Sequence, residues 1–213
     1  MAAVITSITG LQNLINLQSF NASGNSLITI DLSGLTNLTY VDLRYNNIIS
    51  VDNITWPSGL QVLGLSGNQI VTFNPSIALP NSLQQLDLSE NQIVSFNPLI
   101  PLPNGLTELY LSYNQIVTFD PTIALPSSLI TLGLSYNQIV TFNPSVALPS
   151  LVTGLDLVTN QMTTAGYTAS EPWANAMSVI PSRGGIFIFS NIDSISGTNL
   201  ETILTAKGWI VYS

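Results

Sequence analysis

Asparagine recurs along this chain at an almost constant interval. Six asparagines that each close an LxLxxN-like block are separated by 22, 23, 23, 23 and 23 residues, and a weaker copy lies 21 residues earlier. We call them the marker asparagines: Asn25, Asn46, Asn68, Asn91, Asn114, Asn137 and Asn160. An internal period of this length predicts a stack of structural repeats, because no single copy can bury its own apolar face.

The apolar residues before each marker predict a short β-strand. Leucines or their equivalents stand eight, five and three positions before the last six markers, as in Leu60, Leu63 and Leu65. Alternation of this kind places both strand leucines on one side of a sheet. Copies that stack in a parallel sheet share one continuous leucine core. Each leucine buried there contributes about 1.5–3 kcal/mol to the stability of the fold.

The pattern LxxLxLxxNxL, repeated in phase seven times over about residues 11–162, resembles the leucine-rich repeat. The resemblance is to proteins of the type found on bacterial surfaces and in bacteriophage virions. It implies an α/β repeat solenoid with a parallel sheet on its concave face. It also implies that the marker amides point inward and satisfy backbone groups of adjoining turns. The concave strand face is where partners usually bind in this family.

The second half of each repeat also follows the period. Prolines recur in pairs, as at Pro75 and Pro80, and two prolines within six residues exclude a regular α-helix. We therefore expect a mostly extended convex side. Phenylalanines stand five residues after four of the markers and predict a column of rings inside the solenoid: Phe73, Phe96, Phe119 and Phe142.

The repeat pattern ends after Met162. Residues 170–180 predict a helix that begins at Ser170, and GGIFIF at 184–189 predicts a buried strand. Thr198 and Glu201 have the spacing of a capping box, so 198–208 predicts a second helix, followed by a strand at 209–213. We expect a repeat solenoid over 1–162 and a C-terminal α/β capping unit over 163–213 that continues the sheet.

The N-terminal end has little chain to cover it. About ten residues precede the first copy, and two readings stay open. Either Val4, Ile5, Ile8 and Leu11 fold over the first strand as a lid, or the end docks on a partner or on another copy, since open sheet edges invite pairing.

The composition of the chain disfavours several classes of partner and several kinds of site. The net charge is −8, with 11 acidic residues against 3 basic ones, so nucleic acid and anionic membrane surfaces are unfavourable partners. The chain has no histidine and no cysteine, which removes the commonest general base and the thiolate metal ligands. We expect no metal, no cofactor and no membrane insertion. No signal peptide is visible; an extracellular, cell-surface or virion location is favoured, and a cytoplasmic one stays open.

The strand register gives a candidate site on the concave face. Three tyrosines are expected to cluster on two adjacent repeats with three acidic residues beside them: Tyr110, Tyr113, Tyr136, Asp87, Glu90 and Glu108. Tyrosine supplies contact area at a low entropy cost and suits protein or sugar recognition. The alternative is that these tyrosines only reflect the preference of strands for aromatic residues.

These features favour a non-enzymatic binding or adhesion module at a cell or virion surface, which recognises a protein or a glycan. The carboxylates of Asp87 and Glu108 could in principle form a glycosidase pair, but an open face does not desolvate either one. The alternative is a structural subunit, such as a virion decoration or fibre protein or a filament protomer, which assembles through its weakly capped N-terminal face.

Overall fold

The computed structural model describes residues 4–177, 184–188 and 191–213. Within them, nine strands form one all-parallel sheet in chain order, which confirms the predicted leucine-rich repeat solenoid. The strands are β1 (Ser19–Asn21), β2 (Tyr40–Asp42), β3 (Val62–Gly64), β4 (Gln85–Asp87), β5 (Glu108–Tyr110), β6 (Thr131–Gly133), β7 (Gly154–Asp156), β8 (Gly184–Phe187) and β9 (Trp209–Tyr212). Two helices follow β7 and β8, namely α1 (Thr164–Ala176) and α2 (Asn199–Ala206).

The central residue of each repeat strand lies in one shared core. Leu63 pairs with Leu86, which pairs with Leu109 on the next strand, and all three are fully buried. A strand of three residues has only one inward position, so each repeat also buries the leucines that flank its strand. The core therefore runs the length of the sheet without a break.

The marker asparagines form the inward-pointing ladder that the resemblance implies. The Asn114 side-chain oxygen accepts the Ile93 N–H at 2.9 Å, and its amide nitrogen donates to the carbonyls of Leu88 and Leu111 at 3.0 and 3.1 Å. Asn46 and Asn160, near the two ends, make equivalent contacts. Each amide thus joins its own turn to the preceding repeat and satisfies backbone groups that have no access to water.

The ladder has one more rung than the sequence reading found. The Asn191 side-chain oxygen accepts the N–H of Asn160 at 3.1 Å, and its amide donates to the Leu157 carbonyl at 3.1 Å. Ile186 and Ile188 precede it at the leucine positions and are buried. The last copies are therefore 31 residues apart instead of 23, because α1 occupies the intervening chain.

The convex side is free of helix from Leu14 to Met162, as predicted. The phenylalanine column is stacked, with neighbouring ring centroids 6.0–6.2 Å apart. A second polar ladder, not anticipated from the sequence, ties the convex turns together. The Asn97 side chain accepts from Thr122 N–H at 2.9 Å, and Asp120 accepts from Ser145 N–H at 2.7 Å in the next repeat.

The predicted start of the first C-terminal helix is wrong. Helix α1 begins at Thr164 and not at Ser170, because Thr163 is the N-cap and its hydroxyl accepts the Gly166 N–H at 3.2 Å. Ser170 is buried inside the helix, where it donates to the Gly166 carbonyl and accepts from Phe142 N–H. The helix ends at Ala176, and residues 178–180 of the prediction lie outside the described residues.

Helix α1 covers the end of the aromatic column. The Trp173 ring meets Phe142 edge-on, at a centroid distance of 4.7 Å and an interplanar angle of 90°. Gly166 lies so close to the last repeat that a Cβ built there would be 2.1 Å from the Val140 carbonyl oxygen. Only a glycine lets the helix approach this far, so the helix is seated directly on the solenoid backbone.

Helix α2 and the last two strands follow the prediction closely. The Thr198 hydroxyl accepts the Glu201 N–H at 3.2 Å, and the Glu201 carboxylate reaches back to Gly197 N–H at 2.7 Å. Strand β8 pairs in parallel with β7, and β9 pairs in parallel with β8. The predicted strand at 184–189 ends at Phe187, and Phe189 lies outside the described residues.

At the N-terminal end, residues 4–11 lie over the first repeat. The Ile5 N–H donates to the side chain of Asn25 at 3.0 Å, and the Ile5 carbonyl accepts from Ser26 N–H at 2.9 Å. Leu11 is buried, within a 3₁₀ turn over Leu11–Asn13. Val4 and Ile5 remain exposed, so this lid covers backbone groups better than it covers apolar surface.

Candidate binding surface

The concave face of the sheet is less uniformly exposed than the register predicts. Asp42, Ser66 and Ser135 stand four or two positions before a marker asparagine, in the same columns as Asp87 and Ser89, yet all three are buried. The exposed residues are concentrated one position before the marker, where Tyr45, Tyr113 and Tyr136 retain 55, 51 and 42% of their accessible area. This column forms the outer ridge of the concave face.

The backbone along this ridge is left-handed in every repeat. Tyr45, Glu90, Tyr113, Tyr136 and Thr159 have φ between 50 and 55°, and Gly24 and Gly67 occupy the same column at 69 and 66°. The turn into the marker asparagine requires this conformation, which favours glycine and costs other residues about 1–3 kcal/mol. Five of the seven repeats nevertheless carry a larger side chain there.

The ridge tyrosines are held in fixed positions. Tyr113 and Tyr136 stack face to face with a centroid distance of 4.1 Å and an interplanar angle of 7°. The Tyr136 hydroxyl and the nearby Glu90 carboxylate raise the pKa of Tyr113. The Tyr45 ring lies across Gly67, whose built Cβ would be 2.4 Å from the ring, and its hydroxyl donates to Glu90 at 3.2 Å.

Tyr110 lies lower on the face and is half-buried. Its ring packs on Gly133 of the next strand, and its hydroxyl donates to Glu108 at 2.9 Å. Burial, together with the hydrogen bond to Glu108, raises the pKa of Tyr110 to about 12. The phenol therefore stays neutral and acts as a hydrogen-bond donor throughout the physiological range.

Asp87 has a structural role as well as a position in the predicted site. Its Oδ1 accepts the Ser89 N–H at 3.0 Å, and Asp42 and Asp156 accept the equivalent N–H two residues on in their own repeats. Asp42 also pairs with Arg44, with 2.6 Å between the closest atoms, and this hydrogen bond lowers the pKa of Asp42. The charge of Arg44 on the concave face is therefore already matched by Asp42.

The six sequence-predicted residues occupy neighbouring repeats in two layers. Glu90, Tyr113 and Tyr136 lie on the exposed ridge, whereas Asp87, Glu108 and Tyr110 lie half-buried on the strands below it. We call this set the tyrosine surface. Its residues interact electrostatically, since Asp87 also contributes to the raised pKa of Tyr110. Its role as a binding site stays a prediction.

Sequence reasoning did not assign four further residues to the site. Tyr45 is linked to the tyrosine surface by the hydrogen bond from its hydroxyl to Glu90. Asp156 lies at the C-terminal end of the concave face. Phe187 is paired with Asp156 in register and stacks on Tyr212, with a centroid distance of 4.6 Å and an interplanar angle of 7°. The alternation IFIFSN before Asn191 could have placed Phe187 on this face.

The described part of the chain contains no group of three or more acidic, histidine or cysteine side chains that could hold a metal ion. Among the same residues, no helix has the length and apolar character required to cross a membrane.

Comparison with known proteins agrees with this geometry. The leucine-rich repeat profile matches residues 16–38, 82–103 and 105–124, and a second leucine-rich repeat profile matches residues 34–50. No curated protein matches the chain by sequence.

Two solved bacterial structures are similar in fold. The functional domain of InlJ from Listeria monocytogenes, described as including a cysteine ladder, aligns at 21% identity with a TM-score of 0.65, over 98% of this chain and 41% of that one. A leucine-rich repeat protein from Leptospira interrogans aligns at 23% identity with a TM-score of 0.56, over 95% of this chain and 56% of that one. The chain thus spans about half the length of these two structures. By its repeat profiles and its architecture, the chain has the fold of a leucine-rich repeat solenoid.

Proposed function

We propose that this protein is a non-enzymatic binding module, displayed on a cell or virion surface, that recognises a protein partner through the tyrosine surface. The observation that carries the proposal is the left-handed ridge. Glycine occupies that column in two repeats without strain, yet Glu90, Tyr113 and Tyr136 occupy it at an energetic cost. Strain of this kind is maintained where side chains have a task beyond folding.

The chemistry of the surface fits protein recognition. Rigid aromatic rings give contact area at a low entropy cost, and acidic groups beside them add polar specificity. Stacking already fixes Tyr113 against Tyr136, and hydrogen bonds fix Tyr45 and Tyr110 on glutamates. A partner therefore meets a preorganised surface and loses little side-chain entropy from this side.

The test replaces the ridge tyrosines by the residue that the backbone prefers. In the double variant Tyr113→Gly, Tyr136→Gly, relief of backbone strain offsets the lost stacking of about 0.5–1.5 kcal/mol and the glycine entropy. Stability should stay within about 1 kcal/mol of wild type. Thr159→Gly is the matched control, because Thr159 has φ 50° in the same column outside the tyrosine surface.

Binding would be measured in two steps. Immobilised wild-type protein is presented to surface-protein extracts and to a glycan array, and the affinity of the ligand identified is then measured by surface plasmon resonance. The double variant should bind at least tenfold more weakly, which is about 1.4 kcal/mol, and Thr159→Gly should bind normally. A protein ligand held equally well by the double variant would refute the site, and a glycan ligand would refute the partner class.

A second candidate function has its own observation. Among the described residues, β1 pairs on one side only, and the exposed apolar residues Val4, Ile5, Leu14 and Ile15 lie at the same end. A structural subunit that assembles through this end would use that edge. Sedimentation of the wild-type protein and of Ile5→Asp at micromolar concentration distinguishes the structural subunit from the binding module. A structural subunit forms assemblies that Ile5→Asp dissolves, whereas a binding module sediments as a monomer in both forms.

A further inference from the structure

The concave face has a hollow at its C-terminal end, which adjoins the tyrosine surface at Tyr136. It is open to solvent and has a volume of about 420 Å³, between the sixth and seventh repeats and the first strand of the C-terminal unit. Its walls include Thr131, Ser135, Tyr136, Gly154, Asp156 and Phe187. We infer that this hollow receives the guanidinium group of an arginine side chain from the partner. The inference rests on the proposed function and names the chemistry of its anchor.

The hollow exists because Gly154 leaves its floor open. Gly154 follows Thr131 in the same column, and a Cβ built on it would lie 3.6 Å from the Thr131 hydroxyl, in ordinary contact distance. A larger side chain at this place would fill the space. The volume lies within the range of about 300–1,000 Å³ that is usual for small-molecule sites, so a single planar side chain fits.

Aromatic rings are held on both sides of the hollow. Tyr136 is stacked on Tyr113 on one side, and Phe187 is stacked on Tyr212 on the other. Each partner ring limits the motion of the ring that lines the hollow. Aromatic rings attract cations through their electron-rich faces, and arginine is the cation that most often takes this position.

Asp156 supplies the negative charge. Its Oδ1 accepts the Val158 N–H at 3.0 Å, which holds the carboxylate beside Phe187. An ionised carboxylate has about four acceptor positions, so one backbone bond leaves room for a guanidinium. Arginine and carboxylate form paired hydrogen bonds that lysine cannot match, because the guanidinium is a planar fork.

The charge of the protein favours the same occupant. The net charge is −8, and the tyrosine surface adds Asp87, Glu90 and Glu108 to the same face. The two basic side chains that the structure describes are engaged elsewhere. Arg44 pairs with Asp42, and Lys207 donates to the Asn175 carbonyl at 2.9 Å. An approaching cation is therefore attracted, and an anionic ligand is repelled.

The test uses a matched pair of small probes with the full chain. N-acetyl-L-arginine methylamide is titrated to 50 mM while amide NMR shifts are followed, and N-acetyl-L-citrulline methylamide is the neutral probe of the same shape. Arginine should shift the amides of Gly154, Asp156 and Phe187 and bind at least tenfold more tightly than citrulline. Equal binding of the two probes, or arginine shifts confined to other parts of the chain, would overturn the inference.

Two variants test the walls of the hollow. Asp156→Asn retains an oxygen for the Val158 N–H but removes the charge, and Phe187→Leu removes the ring; each should weaken arginine binding at least fivefold. Asp120→Asn is the control, because it removes the same charge from the convex side, where Asn97 makes the equivalent bond. Unchanged binding by both hollow variants, or equal loss in the control, would contradict the inference.

The outcome is separable from that of the proposed function. If arginine and citrulline bind alike while the tyrosine double variant still loses its protein partner, the arginine anchor is wrong and the proposed function stands. If a neutral disaccharide shifts the same amides as strongly as arginine does, the hollow is a sugar site and the inference fails.

Discussion

Replacing one rung of the asparagine ladder tests what holds the repeats together. In Asn114→Ala, the buried Ile93 N–H loses its acceptor, and the carbonyls of Leu88 and Leu111 lose a donor. An orphaned buried N–H costs about 1–3 kcal/mol, and each lost bond to a carbonyl about 0.5–1.5 kcal/mol. The free energy of unfolding should therefore fall by about 2–6 kcal/mol.

A second substitution separates the two halves of the amide. Asn114→Asp keeps an acceptor for Ile93 but places carboxylate oxygens against the two carbonyls, so it should destabilise at neutral pH at least as much as alanine does. Burial and those carbonyls disfavour the charged form and raise its pKa. The added instability should then disappear as the pH falls and the carboxyl acquires a proton that it can donate.

The assay is urea unfolding followed by circular dichroism, with hydrogen exchange at the Ile93 amide to localise the effect, since a repeat array need not unfold in one step. Gln115→Ala is the control, because Gln115 is exposed next to the ladder and should change stability by less than about 0.5 kcal/mol. If Asn114→Ala cost no more than this control, the ladder would not be a source of stability.

Three further predictions concern the helix seat, the ion pair and acid. Gly166→Ala should lower stability by at least about 1–3 kcal/mol and move Trp173 fluorescence, because the new methyl meets the Val140 carbonyl; an unchanged spectrum would contradict this seat. Arg44→Ala should lower the free energy of unfolding, measured in urea, by about 1–2 kcal/mol, because it leaves the buried Asp42 without its ion-pair partner. An unchanged free energy of unfolding would mean that the ion pair makes no net contribution to stability. Stability should be level from pH 8 to 5 and fall below about pH 4; a transition near pH 6.5 would be inconsistent with a chain that lacks histidine.

The acid prediction follows from the direction of three pKa shifts. A hydrogen bond from Arg44 lowers the pKa of Asp42, and hydrogen bonds from serines lower those of Asp31 and Asp120. A depressed pKa in the folded state adds stability above the unfolded value of 3.8, and this stability is lost as the pH falls through the folded pKa.

The parts of the fold that recur in every repeat could be predicted from the sequence. Leu109 and Phe119 could be placed because their columns repeat at constant spacing and core positions tolerate few residue types. Asn191 was missed because helix α1 stretches the final interval to 31 residues. The start of α1 was misplaced because Ser170, Glu171 and Pro172 imitate a helix N-terminus, whereas the first turn after the Thr163 cap contains no proline or acidic residue.

The candidate site was less predictable than the core. The register placed Tyr113 and Tyr136 on one face, but their left-handed backbone was not foreseen, although Gly24 and Gly67 in the same column were a signal. The structural bond of Asp87 recurs at Asp42 and Asp156 in the same column, but the spacing of leucines and asparagines does not reveal it. The hollow depends on Phe187, which belongs to a strand outside the 23-residue period.

The ladder also determines how a chain of this kind can change in length. Because each marker amide contacts only its own turn and the preceding one, excision or duplication of a whole 23-residue unit would rejoin equivalent atoms. Near-identical segments, such as 111–129 and 134–151, show that neighbouring units can carry almost the same residues. The span of the molecule is therefore adjustable in fixed steps, with both end units kept.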